Sequence, residues 1–146
     1  MEIDGEGSDG VNGIGVKNLD HVTLVVKDLN ESRKFYVELL GMEEVERPKF
    51  GFPGAWFRAG DTWIHLNQEH EETGPGGNVV APGLIASRTH HFAFIVQDAS
   101  QAAEILKSAG ARIASGPRPR PDGWVQVFVF DPDGYVVELS SPPKGD

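Results

Sequence analysis

Asp20-His21-Val22-Thr23-Leu24-Val25-Val26-Lys27-Asp28 opens a pattern that returns as His91-Phe92-Ala93-Phe94-Ile95-Val96-Gln97-Asp98, at a constant offset (91 − 21 = 70; 98 − 28 = 70). Both runs are apolar or β-branched, which reads as a strand, and both end on a helix-capping aspartate. After the first, a helix capped by Asp28 or Asn30 buries Phe35, Tyr36, Leu39 and Leu40 and stops at Gly41. After the second, Ala102, Ile105, Leu106 and Ala109 form one helical face that ends at Gly110. Three short strand-like runs follow each helix: residues 42–47, 55–59 and 62–67, then 112–115, 125–130 and 135–139. The turns Ala59-Gly60-Asp61 and Asp131-Pro132-Asp133-Gly134 close the last hairpin of each half. The chain therefore predicts an α+β fold made of two tandem βαβββ modules.

Outward from that repeat, residues 1–16 read as a flexible acidic, glycine-rich leader, 17–141 as one domain and 142–146 as a tail. Within the domain, module one covers 17–68 and module two 89–141. The stretch 69–88 has no periodicity and carries glycine and proline, so it reads as a linker and a candidate lid. With 13 Lys and Arg against 22 Asp and Glu, the formal charge is −9, which opposes nucleic acid and anionic membrane surfaces as partners. No cysteine is present, so disulfides, thiolate metal sites and cysteine nucleophiles are excluded. Nor does any run reach the roughly 18 apolar residues of a membrane-spanning helix, and the start lacks a signal-peptide pattern, so a cytoplasmic location is expected.

Strand parity sorts the side chains into two faces. Val22, Leu24 and Val26, like Phe92, Phe94 and Val96, form the set expected under the helices. His21 and His91 point the other way. In the last strand of each half, Ile64 and Leu66 match Val137 and Leu139, leaving His65 and Glu138 on the face shared with the two histidines. Three imidazoles and one carboxylate thus occupy repeat-equivalent positions, and a curl of the halves toward each other makes them converge. An ionised Glu138 between Val137 and Leu139 costs several kcal/mol unless a charge compensates it. A divalent cation does so, and imidazole with carboxylate suits zinc, nickel, iron or manganese. His90 has the wrong parity and His70 lies in the acidic run Glu69, Glu71, Glu72, so both are expected in solvent.

On the segments Leu19-Asp20-His21-Val22-Thr23-Leu24, Phe35-Tyr36, Leu39-Leu40-Gly41-Met42, His91-Phe92-Ala93-Phe94 and Phe130-Asp131-Pro132-Asp133-Gly134-Tyr135-Val136-Val137-Glu138-Leu139, the chain resembles the vicinal oxygen chelate superfamily. That superfamily includes glyoxalase I, fosfomycin-resistance proteins, extradiol dioxygenases and bleomycin-binding proteins. The resemblance implies a cupped mixed sheet around a divalent metal held by His21, His65, His91 and Glu138. It also implies a small-molecule substrate chelated through vicinal oxygens, and a homodimer. Glu138 is then the catalytic base of a lactoylglutathione-lyase-like lyase or isomerase that stabilises an enediolate. The alternatives are an iron-dependent ring-cleaving dioxygenase on His21, His91 and Glu138, a fosfomycin-type thiol transferase, and a non-catalytic antibiotic-binding dimer. One position departs from glyoxalase I, in which each module supplies a carboxylate: module one here carries His65.

Gly116-Pro117-Arg118-Pro119-Arg120-Pro121-Asp122-Gly123-Trp124 is a stiff basic loop before the second module's hairpin. Arg118 and Arg120, with Trp124, are candidate substrate-binding residues, since a guanidinium meets a carboxylate or phosphate bidentately. Arg58 and Trp63 join them by parity, Arg58 together with Trp56, and Trp63 on the His65 face.

Overall fold

In the computed structural model, which describes residues 13–144, two four-stranded mixed sheets carry the chain. The expected leader lies outside the described residues as far as position 12, and the last two residues of the expected tail lie outside them as well. Module one runs β1 (His21–Val26), α1 (Leu29–Arg33), β2 (Glu43–Val45), β3 (Gly54–Ala59) and β4 (Thr62–Gln68), in the sheet order β1-β4-β3-β2. Module two repeats it as β5 (Phe92–Ile95), α2 (Ala99–Ser108), β6 (Ile113–Pro119), β7 (Val125–Phe130) and β8 (Val136–Ser141), in the order β5-β8-β7-β6. In both sheets the first strand pairs parallel with the last, and the remaining pairings are antiparallel. The first strand of each module is thereby an edge strand.

Local chemistry sets the helix limits. The Asp28 carboxylate accepts from the amides of Asn30 and Glu31, and Asp98 accepts from Gln101, satisfying donors that a helix start leaves free. Gly41 and Gly110, at φ +83° and +76°, take the left-handed turn that ends each helix. Beyond α1 the chain widens into a π-helix over Lys34–Leu39, where the Leu40 amide donates to the Phe35 carbonyl. The wider turn sets two adjacent rings, Phe35 and Tyr36, into the core edge to face, 4.9 Å apart. Leu24, Val26, Phe57, Ile64 and Leu66 from one sheet and Val127, Val129, Val137 and Leu139 from the other complete a continuous core.

The basic segment differs from its reading as a loop. β6 runs on through Gly116 and Pro117 to Pro119, with register shifts between Ile113 and Ser115 and between Ser115 and Arg118. A bulged edge strand tolerates prolines because it has no neighbour on one side to receive their missing amide.

One hairpin fastens the modules. The Tyr135 hydroxyl donates to the Val25 carbonyl at 2.7 Å and accepts from the Gly77 amide at 3.0 Å, while the Asp133 carboxylate accepts from the Lys27 amide. At the same point Gly134 (φ +89°) lies so close to the linker that a Cβ would sit 2.5 Å from the Asn78 carbonyl oxygen. Behind the hairpin, the Asp131 carboxylate is 3% exposed and accepts from the Tyr36 hydroxyl at 2.6 Å and from the amides of Asp133 and Tyr135. Burial pushes its pKa from 3.8 up to about 6, against the opposing pull of those hydrogen bonds. The folded state therefore holds this proton more tightly than the unfolded chain, and stability from protonated Asp131 is lost as pH rises through about 6. Relative to Asp131→Asn, the native protein should lose about 1 kcal/mol of unfolding free energy between about pH 5 and about pH 7.5. Denaturant titrations of both proteins across that interval read the difference, and parallel curves would refute it.

Candidate metal centre

The four donors predicted from parity occupy equivalent places in the two sheets. Thr23 stands opposite His65 across the β1–β4 pair, and Ala93 stands opposite Glu138 across β5–β8. In each module, then, the histidine lies two residues before the strand position that faces the second donor. The parallel pairing brings the two side chains of each module together as a pair.

In module one the His21 and His65 rings stack with centroids 3.9 Å apart and planes 18° from parallel. Trp56, directly opposite His65 in the β3–β4 register, stacks on the other face of that imidazole at 4.2 Å and 6°. His65 is thus clamped between two rings. Its pKa is lowered, first by burial and then by the neighbouring His21, which favours the neutral ring. Asp20 Oδ2 lies 2.8 Å from His21 Nδ1, which orients that ring with the other nitrogen free. Trp63 stands edge-on to both Trp56 and His65, with the Arg58 guanidinium 5.4 Å from the centre of its ring. Arg58 also reaches Glu43, at 2.6 Å.

In module two the carboxylate is the buried member. Glu138 is 6% exposed in a strand whose residues are all buried. Its Oε2 accepts from the Gln126 side-chain amide at 3.0 Å and from the Ser140 hydroxyl, and its Oε1 lies 3.1 Å from His91 Nε2. His91 Nδ1 lies 2.8 Å from the Thr89 carbonyl oxygen, which can only accept, so Nδ1 carries the proton. A neutral His91 then turns its lone pair toward the carboxylate. Two acceptors 3.1 Å apart need a proton or a cation between them. Buried Phe128 meets the imidazole edge to face at 5.3 Å and shuts water from one side.

The donor types fit a divalent cation: three imidazoles, one carboxylate, and hydrogen-bonding partners that orient three of the four. The arrangement is two pairs, His21 with His65 and His91 with Glu138. Among the described residues no three His, Asp or Glu side chains gather closely enough to hold an ion within one chain. His70 is exposed beside Glu72, and His90 is exposed.

Of the candidate substrate residues, Arg120 is engaged by Asp122 at 2.6 Å and lies over Trp124. The Asp122 hydrogen bond above all, and the Glu138 charge at longer range, raise the Arg120 pKa. Arg118 faces only hydroxyls, those of Ser115 and Ser87. Sequence reasoning missed Gln126, Ser140, Thr89 and the orienting role of Asp20. Signals for two of them existed: Ser140 shares parity with Glu138, and Gln126 interrupts an otherwise apolar strand.

A model of the Glyoxalase/Bleomycin resistance protein/Dioxygenase superfamily matches residues 18–139. The chain belongs to this family. Metallothiol transferase FosB of Staphylococcus epidermidis is 31% identical over 126 residues, covering 85% of this chain and 81% of that protein. The "Probable lactoylglutathione lyase, chloroplastic" of Arabidopsis thaliana is 30% identical over 124 residues, 82% of this chain, which spans 34% of that longer protein. The solved structure of a superfamily member from Sphaerobacter thermophilus superposes with TM-score 0.66 at 20% identity, covering 86% of this chain and 98% of that one, a likeness of fold.

Removing the indole that clamps His65 should loosen the module-one pair. Trp56→Leu is expected to weaken manganese binding about tenfold while leaving the far-ultraviolet circular dichroism unchanged, as read by calorimetric titration. Unaltered affinity would show that the stack does not position the imidazole.

Proposed function

We propose that this protein is a divalent-metal-dependent small-molecule enzyme of the glyoxalase-like class, a lyase or isomerase acting on a substrate with vicinal oxygens. The observation that carries this reading is the His91–Glu138 contact, an imidazole nitrogen 3.1 Å from a carboxylate oxygen of the buried strand β8. His21, His65, His91 and Glu138 hold the ion, with zinc, nickel, iron and manganese all compatible with the donors.

Two pairs on two sheets need to meet, and the free edges support one route. β1 and β5 are edge strands, and β5 exposes Ile95 to 75%. A homodimer that sets module one against module two of a second copy joins His21 and His65 to the partner's His91 and the partner's Glu138.

When bound, the ion supplies Lewis acidity to two adjacent substrate oxygens. The chain's residues do the rest. Gln126 and Ser140 hold Glu138 Oε2, so Oε1, which faces His91 at 3.1 Å, is the oxygen that would, once turned away from His91, take a proton from the carbon beside a substrate carbonyl and return it to the neighbouring carbon. Thr89 fixes the His91 tautomer, Phe128 packs against the His91 ring, and Trp56 and Trp63 pack against His65. Thiol transfer to an electrophile is the second reading, supported by the similarity to the metallothiol transferase.

Glu138→Gln and His91→Ala should each lose metal retention, whereas His70→Ala should keep it, measured by elemental analysis of untagged protein. A native content below about 0.1 equivalents after supplementation would overturn the reading. Appearance of thioester absorbance from the methylglyoxal–glutathione hemithioacetal supports the lyase, and thiol consumption with fosfomycin supports the transferase.

A further inference from the structure

Among the described residues, seven of the 13 lysines and arginines are matched to carboxylates, as Arg33 is to Glu44, Arg58 to Glu43 and Arg120 to Asp122. Arg118 is not. Its Nη1 donates to the Ser115 hydroxyl and its Nη2 to the Ser87 hydroxyl at 3.3 Å, and among the described residues no carboxylate pairs with it. Two hydroxyls orient a guanidinium without neutralising it, which is notable in a protein of net charge −9.

Its place in the sheet gives that charge a direction. Arg118 stands opposite Gln126 in the β6–β7 register, and Gln126 stands opposite Ser140 in β7–β8. Directly opposed residues share a face, so Arg118 lies on the face that carries Ser140 and Glu138. Gln126 closes the row by donating to Glu138 at 3.0 Å. The Arg118 guanidinium bonds Ser115, which stands opposite Phe128, and Phe128 stands opposite Glu138, so the charge is held at the row of Glu138, two strand spacings or about 10 Å away. A ligand of only a few carbon atoms bridges that distance.

We propose that Arg118, oriented by Ser115 and Ser87, is an oxyanion subsite, so that the substrate carries a carboxylate or a phosphoryl group a few bonds from its vicinal oxygens. Arg120 does not compete for this group, because Asp122 already fills its fork at Nε and Nη2. Placing the vicinal oxygens at Glu138 rests on the metal-site reading, whereas the contact at Arg118 does not.

The test is calorimetric titration of the native protein with glycerol, glycerate and glycerol 3-phosphate, at low salt, once loaded with manganese and once stripped by chelator. The two anions should bind at least tenfold more tightly than glycerol, and their relative strength tells carboxylate from phosphoryl preference. Arg118→Gln should remove that advantage while leaving manganese affinity unchanged, Arg118→Lys should keep part of it, and Arg112→Gln should change nothing. Anion binding that disappears with Arg118→Gln but persists without metal supports the subsite even if no manganese binds, in which case the metal reading alone falls. Manganese binding with no preference for the anions, or a preference that survives Arg118→Gln, overturns the subsite and leaves the metal reading standing.

Discussion

A carboxylate enclosed on a central strand constrains everything around it. Glu138 has apolar neighbours on both sides along β8 and lies too deep for water to solvate it. Leaving such a charge without partners would cost several kcal/mol, so the surrounding sheet is built to compensate. Gln126 reaches across from β7, Ser140 reaches along β8, and His91 arrives from the start of β5 with its tautomer set by Thr89. The polar ladder in module two follows from that requirement. Module one faces the same geometric position with an imidazole in place of the acid, and meets it with stacking: Trp56 and His21 enclose His65 where hydrogen bonds enclose Glu138.

Duplication was legible in the residues because strand parity and helix stops recur together. Asp28 and Asp98 cap, Gly41 and Gly110 terminate, and the apolar sets Ile64, Leu66 and Val137, Leu139 sit in the core on the expected side. The pairing of His21 with His65 and of His91 with Glu138 required more than parity. It depends on the parallel register between first and last strands, which period-two alternation does not specify. The π-helical turn at Lys34–Leu39 was also invisible, since its cause is the burial of two neighbouring rings. The segment through Gly116 and Pro117 looked like a loop because prolines usually leave sheets, yet an edge strand with bulges accommodates them.

That strand also explains why the two arginines of one short segment differ. Arg118 belongs to β6 and follows its register onto the Glu138 face, while Arg120 lies just past the strand and folds back on Asp122 and Trp124. Two residues of the same type and the same parity, two positions apart, are thus separated by where the ladder ends.

The Tyr135 hydroxyl, holding Val25 with one hand and Gly77 with the other, puts the mechanical seam of the molecule at a hairpin tip. The segment from Val79 to Ile85 consequently carries slack rather than load. Length can be gained or lost there over evolutionary time without parting the sheets, which makes it the natural place for relatives to acquire new loops.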